Sequence, residues 1–209
     1  AVAEANGLAC YDTFTGFKFM AEKMNELENA GKNTVIFSYE ESYGYMLGHY
    51  VRDKDAVTAS LLLTEMAAWY YAQGMTLFDA LEALFKKYGF FGEKTFNLVM
   101  PGLDGVEKMA NLMKTLRETP PREIAGVPVA VYKDYADGTA RDAASGEVTK
   151  IALAGSNVLR FELADGTHIV VRPSGTEPKI KVYVLTKGAD AQERDANLEK
   201  YAAWVETLA

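Results

Sequence analysis

His168-Ile169-Val170-Val171-Arg172-Pro173-Ser174-Gly175-Thr176-Glu177-Pro178-Lys179-Ile180-Lys181-Val182-Tyr183-Val184 decides how this chain is read. Two short β-branched runs flank eight residues that hold an arginine, two hydroxyls, a glycine and a lysine. The flanks predict neighbouring strands, 168–171 and 180–184. Between them Arg172 offers a bidentate fork, Ser174, Thr176 and the Gly175 amide offer further donors, and Pro173 and Pro178 stiffen the ends. Such a turn is suited to an anion, above all a phosphate. Composition alone fits a solvent-facing connection equally well, but a short rigid loop between paired strands is an effective holder of donors.

Working outward, the strand period extends back to about residue 119. Val127–Tyr132 and Val158–Leu163 are further strand candidates, and Asp165-Gly166 predicts a hairpin turn. A charged helix from about Ala189 closes the chain, with Leu198, Tyr201, Ala202 and Val205 facing a sheet. Strands followed by a helix define a small α+β domain with an antiparallel sheet. Glu118-Thr119-Pro120-Pro121 marks the predicted boundary, giving domains 1–118 and 119–209.

Before that boundary the pattern is α/β. Thr15 is expected to cap a helix carrying Phe17, Met20, Met24 and Leu27, stopped by Gly31. Thr34-Val35-Ile36-Phe37 reads as a short buried strand that leads into Tyr39-Glu40-Glu41-Ser42-Tyr43-Gly44-Tyr45. A helix from Asp55 to Gly74 is apolar around most of its circumference, so it is expected to be largely buried, with Trp69-Tyr70-Tyr71 in the core. Thr76 and Asp79 form a capping-box-like start to another helix, with Leu77, Leu81, Leu84 and Phe85 inward. Asp104 to Leu116 makes one more amphipathic helix.

Composition bounds the function. The chain has 209 residues, 49% apolar and 24% charged, with a formal net charge of -7. That balance argues against a general nucleic-acid binder. No apolar run approaches the roughly 20 residues that cross a bilayer. No secretion signal is legible at the first residues, which points to a cytoplasmic location. Cys10 is the single cysteine, His49 and His168 are the two histidines, and no spacing resembles a zinc site. Ala1, rather than methionine, is in keeping with a piece of a longer protein.

Glu40 and Ser42 follow a predicted strand, where α/β sheets bind ligands, and their side chains suit sugar hydroxyls. A solvated Glu-Glu-Ser turn is the plain alternative. Arg52 and Lys54 either bind an anion or fasten the helix start by salt bridges, and Asp55 is placed to cap that helix. Lys18, in the first turn of its helix, opposes the helix dipole, although a surface lysine is the simpler account.

Thr15-Gly16-Phe17-Lys18, Glu40-Glu41-Ser42-Tyr43-Gly44-Tyr45, Val51-Arg52-Asp53-Lys54-Asp55-Ala56 and Arg172-Pro173-Ser174-Gly175-Thr176-Glu177-Pro178 together resemble the α-D-phosphohexomutase superfamily, in order. The likeness is greatest to the bacterial phosphoglucomutase/phosphomannomutase branch, and it spans nearly the whole chain. Tyr43 and Tyr45 around Gly44 fit that branch, whereas others carry Gly-His after the serine. The resemblance implies the later half of such an enzyme: part of an α/β three-layer third domain, truncated at its start, then a TATA-binding-protein-like fourth domain. It implies that Glu40 and Ser42 read sugar hydroxyls and that Arg172, Ser174, Gly175 and Thr176 hold the phosphate not being transferred. Lys18, Arg52 and Lys179 then belong to the surrounding cleft. The implied reaction moves a phosphoryl group between O1 and O6 of a hexose through a bisphosphorylated sugar, such as glucose 1,6-bisphosphate, an enzyme phosphoserine and Mg2+. The family's Ser-His-Asn-Pro and Asp-Gly-Asp loops do not occur in these residues. Missing amino-terminal domains of the same polypeptide are therefore the implied partner, and the chain alone is expected to be inactive. The other reading is a free-standing, non-catalytic phosphosugar-binding module.

Overall fold

A computed structural model describes residues 1–32, 35–175 and 177–208. The chain divides into two compact units, Ala1–Tyr88 and Gly89–Ala209.

The first unit contains α1 (Val2–Ala5), α2 (Phe17–Asn29), β1 (Phe37–Tyr39), β2 (Tyr45–Leu47), α3 (Ala56–Tyr71) and α4 (Leu77–Tyr88). Gly16, not Thr15, is the N-cap of α2, with no side-chain cap. Gly31 ends that helix at a φ of +63°, a left-handed conformation open to glycine without a Cβ clash. Strands β1 and β2 pair antiparallel, Phe37 opposite Leu47 and Tyr39 opposite Tyr45. That alternation leaves Met46 on the inner side, where it packs with Phe17 and Met24 as a small core. The expected strand thus begins at Phe37 and lies exposed, with Thr34 outside the described residues.

Both later helices of this unit start as their sequences dictate. The Asp55 carboxylate accepts from Val57 N at 2.9 Å. Thr76 N donates to Asp79 Oδ2 at 2.8 Å, and Asp79 N donates to Thr76 Oγ1 at 3.2 Å. Their burial departs from expectation. No residue of α3 is buried, and in α4 only Ala80 is. Leu77, Leu81 and Leu84 are exposed, as are Trp69 and Tyr71. An apolar circumference demands cover on every side, and among the described elements of this unit α3 packs chiefly on β2 and α4.

The second unit is an antiparallel sheet backed by helices. Its elements are β3 (Phe90–Val99), α5 (Gly105–Glu118), β4 (Glu123–Ile124), β5 (Val127–Asp134), β6 (Thr139–Asp142), β7 (Val148–Lys150), β8 (Leu159–Leu163), β9 (His168–Pro173), β10 (Lys179–Gly188) and α6 (Ala191–Glu206). The strand order is β3-β10-β9-β8-β5-β6-β7, with β4 pairing β5. Asp165-Gly166 turns β8 into β9: Thr167 N donates to Asp165 Oδ1 at 2.9 Å, and Gly166 has φ +81°. Alternation along the central strands sends Leu159, Phe161, Ile169, Val171, Ile180, Val182 and Val184 to one buried face. Met113 and Leu116 of α5 and Tyr201 and Val205 of α6 complete that core.

Strand β3 lies on the near side of the predicted boundary, yet it pairs with β10 over its whole length, Phe90 opposite Gly188 and Val99 opposite Lys179. The compact units accordingly divide between Tyr88 and Gly89, about thirty residues before Pro120-Pro121.

Candidate phosphosugar site

Strands β9 and β10 form a hairpin whose connection is the loop expected to bind an anion. Residues opposed across an antiparallel pair share a face, and the register opposes Lys181 to Arg172 and Tyr183 to Val170. Arg172 therefore stands beside Lys181, one residue short of the loop. Arg172 Nη2 donates to Tyr183 Oη at 3.3 Å. Its Nε is buried and has no hydrogen-bond partner among the described residues. Two adjacent cations, one with an unsatisfied buried N–H, make a strong preference for an anionic acceptor.

The loop itself is fastened at both ends. Ser174 N donates to the Lys179 carbonyl at 2.9 Å, continuing the ladder. Lys179 N donates to the Glu177 carbonyl at 2.7 Å, and the Lys179 ammonium pairs with the Glu177 carboxylate. The hydrogen bond from Lys179 holds the Glu177 carboxyl below its usual range. Met100 N donates to the Pro178 carbonyl at 2.9 Å, so the end of β3 props the loop from beneath. The first residue of α5 presses on the same place: a Cβ on Gly105 would meet the Met100 carbonyl oxygen at 2.1 Å and Pro178 Cβ at 3.3 Å. Ser174 and Gly175 thus sit on a supported turn, whereas Thr176 lies outside the described residues.

In the first unit, Glu40–Gly44 closes the β1–β2 hairpin, with Glu40 N donating to the Gly44 carbonyl at 3.0 Å. Ser42 Oγ lies 3.4 Å from Glu40 Oε2, so the two predicted sugar-reading groups are neighbours. Tyr43 adopts a φ of +64°, uncommon for a bulky residue, and its ring is exposed. Gly44 permits the close approach of Phe17: a Cβ there would fall 2.7 Å from the ring. Phe37 stacks with Tyr39 and with Tyr45, at ring-centroid distances of 5.7 and 6.0 Å, and braces the strands behind the loop.

Of the remaining candidates, Arg52 bonds Glu28 of α2 at 2.7 Å and Lys54 pairs with Asp53 at 3.0 Å. Both cations are thus paired with carboxylates, Arg52 with one on α2 rather than at the start of α3. The backbone N–H of Val57 and then the Tyr50 hydroxyl hold the Asp55 carboxyl low, in keeping with its cap. Lys18 lies over the Phe19 ring at 4.7 Å. The register adds Lys181, which the sequence reading did not single out, as a neighbour of Arg172. The alternation Lys179, Lys181, Tyr183 carried the signal, because strand pairing across the loop puts that row beside Arg172. Among the described residues no group of three His, Cys, Asp or Glu side chains is placed to hold a metal ion. None of the described helices is long and apolar enough to cross a membrane.

Comparison with known proteins places the chain in a family. The family model for the phosphoglucomutase/phosphomannomutase alpha/beta/alpha domain III matches residues 1–88, and that for the family's C-terminal domain matches residues 122–199. A phosphoglucomutase of Staphylococcus aureus (strain N315) is 36% identical over 189 residues, which are 90% of this chain and 34% of that protein. The phosphoglucomutase of Staphylococcus epidermidis (strain ATCC 35984) is also 36% identical, over 88% of this chain and 33% of its own length. The crystal structure of the exocytosis-sensitive phosphoprotein pp63/parafusin (phosphoglucomutase) from Paramecium, in its open form, matches in fold. Its TM-score is 0.62 at 22% identity, and the match covers 100% of this chain and 35% of that one. The chain belongs to the phosphoglucomutase/phosphomannomutase family. Within it, the chain corresponds to domain III and the C-terminal domain, and it spans about a third of the length of the curated relatives it matches.

Proposed function

We propose that these 209 residues are the substrate-gripping part of a phosphoglucomutase/phosphomannomutase that interconverts hexose 1-phosphate and hexose 6-phosphate. Arg172, Ser174, Gly175 and Thr176 hold the phosphate that is not being transferred, with Lys179 and Lys181 adding positive charge. Glu40 and Ser42 accept and donate hydrogen bonds to sugar hydroxyls. The observation that carries this reading is the opposed pair Arg172 and Lys181 at the mouth of a doubly anchored loop.

The chemistry requires groups that bind a dianion at either end of a bisphosphorylated sugar such as glucose 1,6-bisphosphate. Positioning by fixed donors is the contribution this chain's residues can make. The phosphoryl donor, a phosphoserine, and Mg2+ are assigned to further domains of the polypeptide. When bound there, the metal offsets charge developing on the transferred phosphoryl oxygens. Lys18 and Arg52 take no direct contact in this proposal, since an aromatic ring and Glu28 already engage them.

Titration of the 209-residue chain with glucose 1,6-bisphosphate tests the site. Saturable binding is expected, at least about tenfold weaker in Arg172→Ala and weaker still at raised salt, with a smaller loss in Glu40→Gln. An unchanged affinity in Arg172→Ala would reduce the loop to a connector.

A further inference from the structure

Arg172 is held by a neutral group: its Nη2 donates to the Tyr183 hydroxyl at 3.3 Å. Carboxylates of the same loop and sheet face are engaged elsewhere, Glu177 with Lys179, and Glu162 with Lys133 and Arg160. The kind of partner matters chemically. A carboxylate would fix the guanidinium but also neutralise it, and would compete with a phosphate for the same fork. A phenol oxygen accepts one N–H and leaves the full positive charge for an anion. A fork of five donors can give one to Tyr183 and still offer a bidentate pair.

Tyr183 is better anchored than the arginine it holds. It lies in the middle of β10, opposite Val170 of β9 and Thr95 of β3. Its chain neighbours Val182 and Val184 are wholly buried. Arg172 is the penultimate residue of β9, next to Pro173 and the loop. Lys181 lies two residues before Tyr183, so it shares a sheet face with Tyr183 and with the opposed Arg172. An ammonium beside a guanidinium repels it, and a long, unrestrained arginine would swing its charge toward solvent. The Tyr183 hydroxyl opposes that swing from a fixed strand.

We propose that Tyr183 is a positioning residue for phosphate binding. Its hydroxyl aims the Arg172 guanidinium at the anion and keeps the charge of the fork undiminished beside Lys181. Tyr183 does not touch the phosphate. It acts through Arg172, by fixing beforehand a side chain whose ordering would otherwise oppose binding. This inference rests on the phosphate-holding role of Arg172 proposed above, and it adds what holds that side chain ready.

The test is a double-mutant cycle. The 209-residue chain, Tyr183→Phe, Arg172→Ala and the double variant are each titrated with glucose 1,6-bisphosphate. Phenylalanine keeps the ring and removes only the hydroxyl, so the thermal midpoint is expected to match that of the parent chain. Affinity is expected to fall about three- to tenfold in Tyr183→Phe, but less than about twofold further when the hydroxyl is removed from Arg172→Ala. Nuclear magnetic resonance of the guanidinium gives a second readout without ligand. The Arg172 Nη signals, kept distinct by restricted rotation in the parent chain, are expected to average in Tyr183→Phe. A loss of affinity that is as large without Arg172 shows action by another route and overturns the proposal. So does a loss that comes with a lower thermal midpoint, or guanidinium signals that removal of the hydroxyl leaves alone. Unchanged affinity in Tyr183→Phe, with Arg172→Ala still weakened, overturns it and leaves the phosphate site standing. Unchanged affinity in Arg172→Ala overturns both.

Discussion

His168 sits in a row of charges on the sheet face opposite the main core. The register opposes it to Glu162 on one side and Leu185 on the other. Arg160 Nη2 lies 2.7 Å from His168 Nδ1. Guanidinium nitrogens only donate, so Nδ1 accepts and the imidazole is neutral with its proton on Nε2. Burial and then the Arg160 charge push its pKa below the usual 6.5, against an opposing pull from Glu162. Burial alone would raise Glu162, but the Lys133 hydrogen bond at 2.6 Å and the Arg160 charge hold it below the ordinary range. The two shifts act in different windows. The unfolded chain takes up a proton at His168 near pH 6.5 that the folded chain resists, so stability is full above that pH and declines as pH falls through it. Glu162 is lowered, so its contribution persists to more acidic pH and disappears only below the ordinary carboxylate range. Chemical denaturation between about pH 7 and 5 should show a decline in unfolding free energy that His168→Gln flattens. An identical slope in the variant refutes the assignment. None of this geometry was legible beforehand, since a lone histidine in a strand says nothing of the Arg160, Glu162 and Lys133 side chains that strand pairing sets around it.

Elements position the phosphate loop more than its own residues do. Strand β3 props Pro178, and α5 begins so close to it that Gly105 has no room for a methyl group. Gly105→Ala must displace either the Met100 carbonyl or the helix start. Overpacking of this kind costs about 1–3 kcal/mol, and here it also loosens the turn that carries Ser174 and Gly175. The expected result is a lower thermal midpoint together with weaker bisphosphate binding, read by calorimetry on the same sample. A variant with an unchanged midpoint and affinity shows that the contact relaxes freely. Helix starts at Asp55 and Thr76, the Asp165-Gly166 turn and the central strands were readable because local chemistry specifies them. Strand β3 was not, because Glu93, Lys94 and Thr95 interrupt its apolar alternation and its partner β10 lies some ninety residues away. Pro120-Pro121 punctuates the helix, but it does not mark where contacts cease.

At the scale of the whole molecule the two units are unequally packed. The second owns a continuous core from Met100 to Val205, fixed further by Arg117 Nε, which bonds Asp134 Oδ2 at 2.6 Å, while its Nη2 bonds Asn157 at 2.7 Å. The first has three buried core residues, Phe17, Met24 and Met46, in its cluster. Local opening follows such differences in apolar burial. Native-state hydrogen exchange on the chain alone should therefore find the amides of β8, β9 and β10 slowest and those of α3 and α4 much faster. Equal protection of both units contradicts this. A purified preparation of the 209 residues should also lack mutase turnover, and detectable turnover would sink the division of labour proposed for this chain.

The sequence by itself determined the elements with local signatures, the α+β character of the second unit, the short connection between β9 and β10 and the family to which the chain belongs. Each of these rests on interactions between residues near in sequence or on motifs kept in order. Tertiary structure alone decided that Lys181 stands beside Arg172, that β3 joins the far sheet, and that the apolar α3 lies uncovered. Those outcomes depend on strand register and on which surfaces meet, and residues far apart in the chain set both.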